Sequence, residues 1–121
     1  MSFWKRLFGK RDSQWQVPIV QEICLAMIQI VPNDWNSVAL VLEVPPEGLG
    51  SGLHHSAITK EPVKDLKLVN SEFVTPDMSV VNATRKLELG WNERKGTFKR
   101  AIILATKDTN GDWEIRSDYE H

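Results

Sequence analysis

The last fourteen residues, DTNGDWEIRSDYEH (108–121), carry five acidic side chains that could bind a cation. Three residues match the first ligand positions of a calcium-binding EF-hand loop: Asp108, Asn110 and Asp112. Such a loop also needs glycine at its sixth position and glutamate at its twelfth, because the ligands must converge on one ion. This chain has Trp113 and Tyr119 there. We therefore predict no metal site in this segment.

The dipeptide Asn110-Gly111 lies between two segments of β-type sequence, which is a strong hairpin signal. A type I′ turn needs positive φ at both central residues, and asparagine and glycine tolerate it. In the strand that follows, alternation puts Trp113, Ile115 and Tyr119 on one face. The other face carries four charged residues: Glu114, Arg116, Asp118 and Glu120.

No residue pattern in the chain predicts catalysis. Cys24 lies inside an apolar helical stripe without an adjoining basic group that would lower its pKa, so it is predicted to be a core residue. His54 and His55 are adjacent, so on a strand they point to opposite faces and cannot bind one metal ion together. Asp118 and Glu120 could serve acid–base chemistry, but two acids on one strand face are more typical of a solvated surface. We expect a non-enzymatic protein without metal or cofactor.

The charge is unevenly distributed along the chain. The whole chain of 121 residues has a net charge of −1, and residues 1–11 contribute +4, so the remaining 110 residues carry −5. An acidic domain disfavours nucleic-acid binding, which needs a basic patch for phosphate contacts. A basic protein partner fits this charge better.

Residues 1–16 are interpreted as a basic, flexible leader to a single domain at 17–121. On a helix, Trp4, Leu7 and Phe8 would share one face, so residues 1–11 could touch an anionic membrane surface. Two turns are too short for a stable helix in water, which favours a loosely docked tail. The absence of a signal-peptide pattern and the single cysteine predict a cytoplasmic protein.

Periodicity predicts two helices and about five strands. The first helix begins near Pro18 and ends at Pro32, and the second is capped by Thr75, starts with Pro76 and ends near Gly96. Apolar alternation predicts strands within 38–44, 53–62, 63–70, 97–108 and 113–120. The order α-β-β-β-α-β-β indicates an α+β fold, with an antiparallel sheet and both helices packed on it.

Two stretches resemble the YezG-like immunity proteins of bacterial polymorphic toxin systems. One is VPNDWNSVALVLEV, a helix end followed by Pro-x-Asp-Trp and a strand, and the other is the closing strand GDWEIRSDYEH. The resemblance covers residues 17–121 and implies a cytoplasmic, non-catalytic antitoxin that binds a toxin domain and blocks its active site. Many such toxins are nucleases, and an acidic face can occupy a cleft built for phosphate.

The resemblance and the charge pattern together suggest an acidic and aromatic partner-binding surface. Its candidate residues are Trp35, Glu114, Asp118, Tyr119 and Glu120. Tryptophan is included because indoles are enriched at the energetic centres of protein interfaces. The competing interpretation of the acids is a solvated strand face. The alternative function is a membrane-peripheral adaptor or regulatory domain that uses the basic N-terminus.

Overall fold

The structure is a computed structural model, and it describes residues 4–8, 15–45, 52–60, 73–94 and 98–120. The described residues form two helices and seven strands. In chain order these are β1 (Trp4–Phe8), α1 (Gln16–Ile30), β2 (Ser37–Glu43), β3 (His54–His55), β4 (Ile58–Thr59), β5 (Phe73–Val74), α2 (Met78–Glu93), β6 (Arg100–Lys107) and β7 (Trp113–Glu120).

The strands form one sheet in the order β1-β7-β6-β2-β4-β5, with β3 also paired to β2. All pairs are antiparallel except β1 with β7, which is parallel. The predicted α+β class is therefore confirmed. The strand count differs, because the predicted second strand is divided into the short β3 and β4, and because β1 and β5 were not predicted. The predicted strand at 63–70 lies outside the described residues.

The N-terminal segment differs from the expected helix or tail. Trp4–Phe8 is a strand that pairs with β7 from Trp4 opposite Trp113 to Phe8 opposite Ser117. The physical reason is that β7 would otherwise present an unpaired row of backbone groups, which another extended segment can satisfy. The segment interpreted as a leader therefore contributes an edge strand to the sheet.

Helix α1 buries an apolar stripe as the periodicity predicts. Val20, Ile23, Cys24 and Met27 are fully buried. The helix ends at Ile30, and Val31 is extended, with φ −92° and ψ 160°. The cause is the following proline, because a proline ring disfavours helical backbone in the residue before it.

Helix α2 is capped two residues later than predicted. Asp77 is extended, and its Oδ1 accepts a hydrogen bond of 3.1 Å from the backbone N–H of Val80. Thr75 is therefore not the cap and Pro76 precedes the helix, because the aspartate reaches the free N–H groups of the first turn. The predicted stop at Gly96 lies outside the described residues.

The core lies between the helices and one face of β2, β6 and β7. Val38, Leu40 and Leu42 of β2 are fully buried. Ala101, Ile103 and Ala105 of β6 are also fully buried, and Val41 and Ile102 are paired positions on the opposite face of the sheet. The prediction that the strand at 97–108 is central is confirmed, since β6 pairs with β2 on one side and β7 on the other.

An aromatic cluster joins the start of α1 to the end of α2. The rings of Trp15 and Trp91 meet edge to face with centroids 5.6 Å apart, and Trp91 also lies against Phe98 and Tyr119. The guanidinium of Arg94 lies 4.1 Å from the centroid of the Trp15 ring. Trp15 is held between these neighbours and leaves no space for a side chain on the adjacent turn of α2.

We predict that Gly90→Ala destabilises the protein although alanine favours helix. A Cβ at Gly90 would lie 2.3 Å from Cζ3 of Trp15, so the indole would have to move. Overpacking of this kind costs about 1–3 kcal/mol, more than the roughly 1 kcal/mol gained in helix propensity. The free energy of unfolding in urea measures the effect. In a Trp15→Ala background the same substitution should be neutral or stabilising, and equal destabilisation in both backgrounds would contradict the explanation.

Candidate functional site

The outward face of β7 carries the predicted row of charged side chains. Arg116, Asp118 and Glu120 are exposed, and Glu114 is half-buried. The buried positions of β7 are Trp113, Ile115 and Ser117, which point to the helix side. The predicted division of this strand into an inward and an outward face is confirmed. It results from side-chain alternation along a strand that is covered on one face.

The charged row lies beside a partly exposed apolar pair on β6. Ile102 is opposite Asp118, and Leu104 is opposite Arg116. Residues directly opposite each other on neighbouring strands point to the same face of the sheet. Ile102 and Leu104 are half-buried there. The outward surface, defined here as Ile102, Leu104 and the four outward residues of β7, therefore combines apolar and charged groups.

The electrostatics of the outward surface are mixed. The Nε atom of Arg116 lies 3.1 Å from Oδ2 of Asp118, two residues along the same strand. Both side chains are more than half exposed, so this ion pair contributes little to stability. At the end of β6, Arg100 forms a second ion pair of 3.1 Å with Glu43 of β2. The surface offers acids, but a basic group is interposed among them.

Two of the predicted partner-binding residues do not lie on this surface. Trp35 is only 2% exposed and belongs to the core, so the expectation of an exposed indole is wrong. Tyr119 is half-buried on the helix side, where its ring lies 5.5 Å from the rings of both Trp91 and Phe98. In both cases the physical reason is burial of a large aromatic ring against the apolar layer below the sheet.

The turn before β7 is a hairpin connection, as predicted, although a longer one. Lys107 pairs with Trp113, so residues 108–112 form the loop. Oδ1 of Asp108 accepts hydrogen bonds from the backbone N–H groups of Asn110 (2.8 Å) and Asp112 (3.0 Å). Gly111 has φ +84°, which glycine adopts without steric cost. The Asp108 carboxylate thus holds the loop, as aspartates commonly do in turns.

A concave site lies between β3 and α2. Its cavity of about 130 Å³ is lined by Gly52, Leu53, His55, Val81, Thr84, Arg85 and Glu88. Nδ1 of His55 is 3.1 Å from the carbonyl oxygen of Leu53, and Nε2 is 2.6 Å from Oγ1 of Thr84. His54 is exposed and His55 is half-buried, which confirms that the two imidazoles point to opposite faces. No sequence signal pointed to the Thr84 contact, because the two residues are 29 positions apart.

The environment of His55 favours its neutral form. Burial lowers the pKa of His55 below its ordinary value, and the neighbouring charge of His54 lowers it further. The backbone hydrogen bond to Leu53 and the negative charge of Glu88 act in the opposite direction. Desolvation has the largest effect, because the charged imidazolium loses more hydration than the neutral ring.

The imidazole–hydroxyl contact resembles the base and nucleophile of a hydrolase in distance only. Thr84 is 1% exposed, and its Oγ1 also lies 2.8 Å from the carbonyl oxygen of Val81, one turn earlier in α2. A nucleophile must be accessible to a substrate carbonyl, and this hydroxyl is enclosed. Cys24 is also unsuited to attack, because burial raises the pKa of its thiol well above the usual range.

A shallow groove between α1 and α2 is the second concave feature. It is lined by Glu22, Leu25, Ala26, Gln29, Ser79, Asn82 and Lys86. Nζ of Lys86 lies 2.7 Å from Oε1 of Glu22, with both side chains about half exposed. The groove combines an exposed ion pair with polar side chains, and this pattern indicates a solvated helix surface.

Among the described residues, no group of three or more histidine, cysteine, aspartate or glutamate side chains could hold a metal ion.

No protein-family model, curated protein or solved structure matches this chain. Within the described ranges, neither α1 nor α2 has the length and apolar character needed to cross a bilayer.

We predict that acid destabilises the protein partly through His55. Because its pKa is lowered by folding, the unfolded chain binds more protons as pH falls below the ordinary value of 6.5. The free energy of unfolding should therefore fall with pH through the window between that value and the lower pKa of the folded state. Urea unfolding at pH 7.5, 6.5 and 5.5 measures this slope.

The variants His55→Gln and His54→Gln separate this effect from general acid sensitivity. His55→Gln should flatten the slope in that window, whereas His54→Gln should change it much less, because the charge of His54 makes the smallest contribution to the lowered pKa of His55. Equal slopes for wild type and His55→Gln would show that the imidazole does not link protonation to folding.

Proposed function

We propose that this protein is a cytoplasmic, non-catalytic immunity protein that binds a bacterial toxin domain through the outward surface and blocks its active site. The observation that carries the proposal is the placement of Glu114, Asp118 and Glu120 on one face, beside Ile102 and Leu104. This surface replaces the broader candidate set, since Trp35 and Tyr119 lie on the helix side.

Charge supports this proposal. Residues 12–121 carry −5, and three acids occur on a single strand face. A toxin that cleaves nucleic acid needs a basic cleft, and an acidic face attracts such a cleft over a long range. Attraction of this kind raises the association rate and is weakened by salt.

The apolar pair supports the proposal in a different way. Stable protein interfaces have an apolar centre surrounded by polar groups that remain near solvent. Ile102 and Leu104 provide partly exposed apolar surface, and the ion pairs Arg116–Asp118 and Arg100–Glu43 flank it. Contacts at such a centre act at short range and mainly determine the dissociation rate.

The topology indicates how a partner would be recognised. Strand β7 is paired with β6 on one side and with β1 on the other. From Trp113 to Ser117 both rows of its backbone groups are therefore engaged, and a partner cannot add a strand to this part of β7. Recognition along this part of the outward surface depends on side chains, which makes it sensitive to substitutions that leave the backbone unchanged.

We predict that reversing two acids slows association with the toxin. The experiment first asks whether the neighbouring reading frame encodes a domain that is toxic to cells. That domain is then used to test rescue of cells by co-expression and to measure binding kinetics. The double variant Asp118→Lys/Glu120→Lys should lower the association rate about tenfold at low salt and flatten its salt dependence.

The matched control is Asp34→Lys/Glu93→Lys, which changes the net charge equally at two exposed positions off β7. It should retain most of the salt dependence of the wild type. Failure of co-expression to rescue cells would contradict the function. An association rate that responds equally to both double variants would contradict the assigned surface.

We also predict that shortening the apolar pair speeds dissociation. Leu104→Ala removes partly exposed apolar surface while leaving every charge in place, so the dissociation rate should rise about tenfold at any salt concentration. The same kinetic experiment gives the result. Thermal melting of the variant must accompany it, because Leu104 lies in the central strand β6. An unchanged dissociation rate in a folded variant would place the binding centre elsewhere.

A further inference from the structure

The contact between His55 and Thr84 links two elements that are distant in sequence. His55 is on β3, opposite Leu42 of β2, and therefore points to the helix side of the sheet. Thr84 is on α2. Their side chains connect the sheet to the helix at 2.6 Å beside the cavity, and the connection continues at both ends to carbonyl oxygens.

The groups around His55 and Thr84 form a row with three contacts of hydrogen-bonding length. It runs from the Leu53 carbonyl oxygen through the His55 imidazole and the Thr84 hydroxyl to the Val81 carbonyl oxygen. A carbonyl oxygen only accepts hydrogen bonds, so each end of the row needs a hydrogen from its neighbour. The number of hydrogens between the two ends decides how many of the three contacts are hydrogen bonds.

With a neutral imidazole, the row holds two hydrogens for three contacts. The Leu53 carbonyl requires the hydrogen on Nδ1, so Nε2 has a lone pair and accepts from the Thr84 hydroxyl. The hydroxyl hydrogen is then used, and its contact with the Val81 carbonyl is not a hydrogen bond. With a protonated imidazole, Nε2–H donates to Oγ1, and the hydroxyl turns to donate to Val81. All three contacts are then hydrogen bonds.

Charged groups on the neighbouring elements act on both states. Arg85 and Glu88 of α2 line the same cavity, and His54 precedes His55 on β3. On β2, the position opposite His54 is Glu43, which is paired with Arg100 of β6. Acidic and basic groups thus occur on the same elements. None of these groups accepts a hydrogen bond from Nε2 of His55 in place of the Thr84 hydroxyl.

We propose that His55 and Thr84 form a proton-adaptable joint, in which the Thr84 hydroxyl reverses its hydrogen bond so that β3 stays attached to α2 in both protonation states of the imidazole. Protonation of a buried imidazole ordinarily favours its release to water. Here the hydroxyl supplies an acceptor at the moment when Nε2 becomes a donor. The joint therefore limits the disruption that a fall in pH would cause beside the cavity.

The test compares Thr84→Val, which keeps the shape of the side chain without its hydroxyl, with Thr84→Ser, which keeps the hydroxyl. Imidazole nitrogen and carbon chemical shifts, followed by NMR from pH 8 to pH 4.5 on the full chain, give the tautomer and the titration midpoint of His55. His54 is the internal reference. In the wild type we expect the Nδ1–H tautomer at neutral pH and a titration of His55 before the protein unfolds.

Thr84→Val should lower the His55 midpoint by about half a unit to one unit, because the imidazolium loses a stronger hydrogen bond than the neutral ring does. It should also make the acid-induced fall in stability steeper. Thr84→Ser should match the wild type in both measurements. The proposal is overturned by an unchanged or raised midpoint in Thr84→Val, by the Nε2–H tautomer at neutral pH, or by a His55 that does not titrate before unfolding.

Discussion

The register between β6 and β7 is the constraint on which the proposed surface depends. Their pairing runs without interruption from Arg100 opposite Glu120 to Lys107 opposite Trp113. Side chains alternate between the two faces, so a slip of one residue would place the charged row of β7 against the helices. The loop held by Asp108 and the apolar layer under the sheet specify the same register, which is how local and tertiary preferences reinforce each other.

The parts of the fold that produce a local or repeating pattern of residues could be predicted from the sequence. The inward and outward faces of β7 follow from strict alternation, and the position of α1 follows from its apolar stripe. The hairpin follows from Asn110-Gly111, and the central place of β6 follows from apolar residues on both of its faces. In each case the signal is local and recurs over several residues, so one exception does not change the result.

The remaining features depend on contacts between distant parts of the chain. An indole such as that of Trp35 fits a core as well as an interface, and its burial depends on a core cluster to which both helices and the sheet contribute. The pairing of β1 with β7 joins opposite ends of the chain. The short basic sequence of β1 does not alternate between apolar and polar residues, so it does not predict a strand. The side chain that contacts the imidazole of His55 belongs to Thr84 of α2, which is 29 residues away in sequence.

These constraints also bear on how the proposed immunity protein would discriminate between partners. Because both edges of β7 are occupied from Trp113 to Ser117, this part of the outward surface can differ between related proteins only in its side chains. Its acids are not a uniform negative field, since Arg116 lies between Glu114 and Asp118 and is paired with the latter. A cleft that carries only positive charge would leave Arg116 opposed by like charge, which costs binding energy. Under the proposed function, the toxin that fits best would therefore present an acceptor or an acid opposite Arg116 within an otherwise basic cleft, so the arginine would favour one cleft over others of the same net charge.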